Sequence, residues 1–152
     1  MSGMRIAIKQ KLLAFSLAFS FSALAAPLGV EKGTDMQQAL VDISLAAANH
    51  DLVLVKMQPI DTALAKRGFE NPHLRILFIG SESAVRWAEA AEPRLLNLLP
   101  LRLTLIQREG RITVLSDDFD HWLQEFPDPP ARLMIEAWRA ELKAMLDDFV
   151  RQ

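Results

Sequence analysis

The seven residues Ser116 to Trp122, SDDFDHW, hold three aspartates and one histidine. Oxygen and imidazole donors at this density could bind a divalent metal, with Asp117, Asp118, Asp120 and His121 as ligands. A calcium loop, however, alternates its oxygen ligands around a central glycine and closes with a distal bidentate glutamate. No glycine stands here, and the ligand spacing differs. A transition metal would call for more histidine, and the other two, His50 and His73, are isolated in sequence. The same residues suit the start of a helix. Ser116 or Asp117 can cap it, and the later aspartates sit where the positive end of the helix dipole favours anions. Phe119, Trp122, Leu123 and Phe126 then recur at helical spacing. The stretch therefore reads as a capped helix running to about Phe126, with Asp117, Asp120, His121 and His73 left as metal candidates.

Other residue types carry chemistry less locally. Trp87, Trp122 and Trp138 could line a pocket for a ring-shaped or apolar ligand, although each also falls on the apolar face of an expected helix. Arginines 86, 94, 102, 108 and 111 could meet an anion. Arg108 and Arg111 read as solvated edge charges that discourage strand-to-strand association. Arg102 follows Leu99-Pro100 at a strand start and is the ligand-contact candidate among them. No G-x-S-x-G, H-E-x-x-H or phosphate-binding glycine loop is present, so no catalytic residue is assigned. Carboxylate pairs such as Asp117-Asp118 and Asp147-Asp148 exist, the latter read as a solvated helix face. With no cysteine, disulfides, thiolate chemistry and cysteine-ligated metals are excluded; with no tyrosine, so is a phenolic acid or base.

These residues need elements to hold them. Residues 34–51 read as a helix capped by Thr34 or Asp35, with Met36, Leu40, Ile43 and Ala47 on one face. Leu52 to Met57 is a short β-rich run. Residues 60–69 suggest a short helix ended by Gly68. Leu74 to Gly80, LRILFIG, is a buried strand. Ser81 can cap a following helix that Pro93 ends. Two alternating runs flank Glu109-Gly110 as a hairpin, with Leu101, Leu103 and Leu105 on one face and Arg102, Thr104 and Ile106 on the other. Asp128 caps a last helix over 129–151, with Pro129 at its first position. Ile135, Trp138, Leu142, Met145 and Phe149 give that helix one apolar stripe. With a weak first strand at Leu28 to Lys32, the expected fold is α+β. It is a two-layer sandwich of a small antiparallel sheet, helices on one face, and a long C-terminal helix.

The start of the chain is different. Arg5, Lys9 and Lys11 precede an uncharged apolar run, Leu12 to Ala25, that closes on Ala23-Leu24-Ala25. That is the layout of a secretory signal with cleavage after Ala25, and the run is short of the roughly 20 residues of a membrane span. The expected organisation is a signal over 1–25 and one domain over 26–152, with a retained anchor as the rival. Cleavage removes three of the 17 basic residues and none of the 19 acidic ones, which leaves a net charge of −5. An acidic surface disfavours nucleic acid and anionic lipid. The expected location is periplasmic or secreted, with no stable membrane insertion after cleavage.

ILFIG, a short helix, then LLNLLPLRLTLIQREGRITV resembles the bacterial family called domain of unknown function 302. In that family a strand ends near a glycine, a helix follows, and a Leu-Pro pair leads into a hairpin with a polar-Gly turn. Here these are Gly80, Leu99-Pro100 and Glu109-Gly110. The preceding residues, from Asp35 to Pro72, also resemble the family, and the likeness covers about residues 30 to 117. It implies a small α+β fold with an antiparallel sheet and no settled reaction. Two departures stand out: Ser81-Glu82 replaces a frequent Asn-Pro, and the cysteine carried by some members is missing, so no thiol role transfers.

The functional expectation is a non-enzymatic module that binds a small ligand or a protein partner. It would use the less covered sheet face, where Ile106 and Leu115 are expected, or the groove beside Leu99-Pro100. The candidate contacts are Arg102, Trp87, Gly80 and Pro100, with no cofactor. The alternatives are a metal- or haem-binding protein using His121 with His73 or His50, and a carboxylate-dependent hydrolase or isomerase.

Overall fold

Alternation of apolar and polar residues decides which way the sheet faces. In the computed structural model, which describes residues 27–58, 67–68 and 71–152, five antiparallel strands lie in the order β1-β5-β4-β3-β2. They are β1 (Gly29–Gly33), β2 (Val53–Gln58), β3 (Leu74–Gly80), β4 (Leu101–Arg108) and β5 (Arg111–Ser116). Leu77 and Ile79 of β3, Leu101, Leu103 and Leu105 of β4, and Ile112 and Val114 of β5 are buried. Their neighbours in sequence, Phe78, Arg102, Thr104, Ile106, Thr113 and Leu115, point to the opposite face and are half-buried or exposed. Ile106 and Leu115 thus lie on the less covered face, as expected.

The buried face is covered by α1 (Met36–Ala48) and α4 (Pro129–Arg151). Asp35 caps α1 by accepting from the Gln38 N–H at 2.8 Å. Met36, Ala39, Ile43, Ala46 and Ala47 form its inner face. Along α4, Ile135, Trp138, Leu142, Met145 and Phe149 are all buried, so the stripe read from spacing is the one that packs. Asp128 stands at the N-cap position of α4 without a side-chain capping bond. Two shorter helices, α2 (Glu82–Ala91) and α3 (Phe119–Glu125), complete the layer. The fold is the expected α+β arrangement with a long C-terminal helix.

Several local details differ from expectation. Pro93 does not only end α2; it opens a 3-10 turn over Pro93–Leu98, whose Leu95 is buried. A proline at the first position loses no hydrogen bond there, and Glu92 accepts from the Arg94 N–H. Arg108 and Arg111 do not guard an edge, because β4 and β5 are both interior strands; Arg111 instead reaches Glu31 on β1 at 3.4 Å. Their turn is the expected one, with Glu109 and Gly110 both at positive φ, 50° and 73°, the pair that a two-residue turn of this hand requires. The short helix expected over 60–69 lies outside the described residues apart from Arg67 and Gly68, the latter with a φ of 78°.

One polar node sits inside this layer. The Lys32 ammonium of β1 donates to Asp42 of α1 at 2.5 Å and to the Phe149 carbonyl of α4 at 3.0 Å. It also lies 5.0 Å from the centre of the Phe149 ring. Asp42 is buried and takes a second bond from Gln38. The Lys32 bond, and then the Gln38 bond, hold its carboxyl below the usual range. Removing one partner leaves the other charge buried and unpaired. Lys32→Met is therefore expected to lower the unfolding free energy by about 3 kcal/mol, and the double change Lys32→Met with Asp42→Leu to restore most of it. Urea unfolding of the three proteins measures this; a single variant as stable as wild type would remove the node's structural role.

Candidate functional site

The chain leaves α1 through a tight reversal. Asn49 is the C-cap, the N–H groups of His50 and Leu52 both donate to the Ala47 carbonyl, and Asp51 has a φ of 52°. Aspartate tolerates this left-handed geometry better than most residues. The reversal places His50 against α4. Its Nδ1 lies 3.1 Å from Glu141 and its Nε2 lies 2.5 Å from Asp148. A neutral imidazole has one N–H and can serve only one of two carboxylates; serving both takes the protonated ring. The bond to Asp148 leads in raising the imidazole's affinity for its proton, with Glu141 adding to it against burial. Asp148 is held below its usual range by His50 and then by Arg151. The pair Asp147-Asp148 is therefore not simply a solvated face: Asp147 pairs with Lys143 outside, while Asp148 joins the clasp.

Beside this clasp is a cavity of about 590 Å³. One wall is the α1 reversal and Leu52. A second is the β3–α2 junction, with Gly80, Ser81, Ser83, Ala84 and Trp87. Leu99 and Leu101 form the floor, and Met134, Ala137, Trp138 and Glu141 of α4 close the far side. Gly80 is needed for close approach, since a Cβ there would lie 3.1 Å from the Val55 side chain and 3.8 Å from Pro100. Ser81 holds the N-cap position of α2, yet its hydroxyl bonds the Ser83 hydroxyl at 2.6 Å and caps no backbone N–H. The indole N–H of Trp138 is buried and has no hydrogen-bond partner among the described residues.

Of the four contacts expected from sequence, Gly80 and Trp87 line the cavity, and Pro100, joined to Leu99 by a cis peptide, flanks it. Arg102 does not: its N–H and guanidinium both bond Asp117, at 3.0 and 2.7 Å. Trp138 lines the cavity as well as packing in the core. Trp122 instead packs edge-on against Phe119 with ring centres 4.9 Å apart.

The SDDFDHW residues each have a separate partner. The cap of α3 is Asp118, which accepts from the N–H groups of Asp120 and His121, both at 3.1 Å. Ser116 and Asp117 do not cap: β5 runs on through Ser116, paired with Leu103, and Asp117 is taken by Arg102. Asp120 pairs with Arg139 at 2.8 Å and His121 with Glu125 at 3.3 Å. His73 is exposed, with its backbone N–H on Asn71. Among the described residues no group of three or more histidine, aspartate or glutamate side chains is placed to hold a metal ion. The clasp itself was missed by sequence reasoning, which took Asn49-His50-Asp51 as a helix stop and His50 as an alternative metal or haem ligand. The available signal was Glu141 and Asp148, seven apart and so on one face of a helix.

A five-stranded antiparallel sheet with its helices layered on one face and a cavity at the α1–α4 end defines a small α+β module. The chain belongs to the family described as "Domain of unknown function DUF302", whose model matches residues 29–149. Its fold is similar to the crystal structure of an uncharacterized conserved DUF302 protein from Bacillus stearothermophilus. The TM-score is 0.70 and the identity 15%, over 80% of this chain and 95% of that one. No curated protein is similar enough to count as a match.

The clasp has a pH signature. His50, with its proton affinity raised, adds stability that is full below about pH 6.5 and is lost as pH rises through the folded-state value. Asp148, lowered, adds stability above about pH 3.9 that is lost as pH falls through its folded-state value. The clasp is thus strongest between those limits. The stability gap between wild type and His50→Gln is expected to be largest near pH 5.5 and to shrink toward pH 9. A gap that stays constant across that range in urea titrations would mean the clasp is not protonated.

Proposed function

We propose that the protein is an exported, non-enzymatic module that binds a small ligand with an apolar body in the cavity between α2 and α4. The observation that carries this reading is the lining. Trp87, Trp138, Leu101 and Met134 form an apolar surface, and Ser83, His50 and Glu141 place polar groups at its rim. A volume of this size, mostly apolar with a few convergent polar groups, suits a small-molecule site.

The rival chemistries draw less support. The two carboxylates that line the cavity, Asp51 and Glu141, come from separate elements, and Glu141 is engaged with His50. The histidines needed for a metal or haem reading sit on separate elements with separate partners. Export rests on the basic, apolar and Ala23-Leu24-Ala25 regions of residues 1–25, which lie outside the described residues. No helix among the described residues is long and apolar enough to cross a membrane.

Two measurements test the reading. N-phenyl-1-naphthylamine, a neutral probe that brightens in apolar surroundings, is expected to bind wild type. Ala84→Phe, which fills the cavity from α2, should weaken that binding about tenfold or more. Equal binding by a folded Ala84→Phe protein would place the probe elsewhere and sink the cavity reading. For export, full-length chain expressed in a bacterium with an outer membrane should yield a periplasmic product whose mass begins at Ala26. A cytoplasmic product retaining Met1 would overturn it.

A further inference from the structure

We infer that the ligand of this cavity is an organic cation, a protonated amine or quaternary ammonium carried on an apolar body. This rests on the cavity being a binding site and adds the charge of what it holds. Among the described residues, the charged side chains in the lining are His50, Asp51 and Glu141, with no lysine or arginine. Both ring nitrogens of His50 already face carboxylates, so the one basic side chain described in the lining is engaged within the wall and offers nothing to an anion. Asp51 makes no ion pair among the described residues, and Glu141 has a second oxygen beyond the one facing His50. The C-terminal end of α1 opens on the same wall and has no basic residue in its last turn, so its partial negative charge adds to theirs. The N-terminus of α2, on the opposing wall, carries Glu82 in its first turn, itself paired with Arg86.

The apolar part of the lining fits the same ligand. Trp87 and Trp138 stand on two sides of the space, and indole faces attract cations more strongly than any other side-chain ring. Desolvating a quaternary ammonium against indole costs far less than desolvating a compact inorganic ion, so the apolar floor is no obstacle. The Ser81 and Ser83 hydroxyls, which line the cavity, can accept from an amine N–H.

The test uses three probes of similar ring size and different charge: benzyltrimethylammonium, benzyl alcohol and benzoate. Each is titrated calorimetrically into the full-length protein at pH 7 and, separately, used to displace N-phenyl-1-naphthylamine. Benzyltrimethylammonium is expected to bind about tenfold tighter than benzyl alcohol, with benzoate weakest. Asp51→Asn, which keeps a residue that tolerates the left-handed turn and lies outside the clasp, should lower the cation's affinity about threefold and leave benzyl alcohol unchanged. Equal affinities for the three probes, or tighter benzoate, would overturn the charge assignment while leaving the cavity reading in place. If none of the three displaces a naphthylamine probe that Ala84→Phe does block, the charge assignment fails alone. If the naphthylamine itself does not bind, the cavity reading falls with it.

Discussion

The Lys32 ammonium holds together parts of the chain that are far apart in sequence. It sits on an edge strand, bonds a carboxylate in the first helix and a carbonyl near the end of the last. A cation at the carbonyl end of α4 is favoured by that helix's own dipole as well as by Asp42. With β1, α1 and the C-terminal part of α4 joined at one point, the two long helices lie on the sheet at a set separation. That separation brings His50, at the end of α1, onto Glu141 and Asp148. The cavity depends on the same spacing, since its walls are the end of α1 on one side and α4 on the other.

A charged node inside an apolar layer is not an efficient source of stability, because two ions must lose their water. Its value is positional. Apolar residues such as Ile43, Leu142 and Met145 can pack in more than one register, whereas an ammonium with three donors has few arrangements that satisfy it. The clasp repeats this logic at the C-terminal end of α1, with the His50 ring between two carboxylates in place of the ammonium. Between them, the two polar contacts fix α1 against α4 at two points, and the apolar residues fill the space left between.

The parts of the fold that could be read from sequence are those whose signal is local and repeated. The stripe on α4, the turn at Glu109-Gly110 and the cap at Asp35 each follow from spacing within a few residues. The parts that could not be read depend on pairing over distance. Three acids near the start of α3 compete as its cap, and Asp118 prevails only because β5 runs one residue further and Arg102 claims Asp117. The 3-10 turn after Pro93 lies in an apolar run that spacing does not distinguish from strand. Gly80 and Trp87 were named from the sequence as candidate contacts, and both line the cavity. The meeting of His50 with Glu141 was not legible, since 91 residues separate them.

The distribution of the tryptophans gives the molecule an optical property. With three tryptophans and no tyrosine, its near-ultraviolet emission comes from indole alone. Two of the three indoles, Trp87 and Trp138, stand in the cavity wall, while Trp122 rests against Phe119 on a different helix. Two of its three emitters therefore stand at the wall of the cavity, where anything that enters would change their surroundings. The third indole, outside that space, serves as an internal reference for whatever enters it.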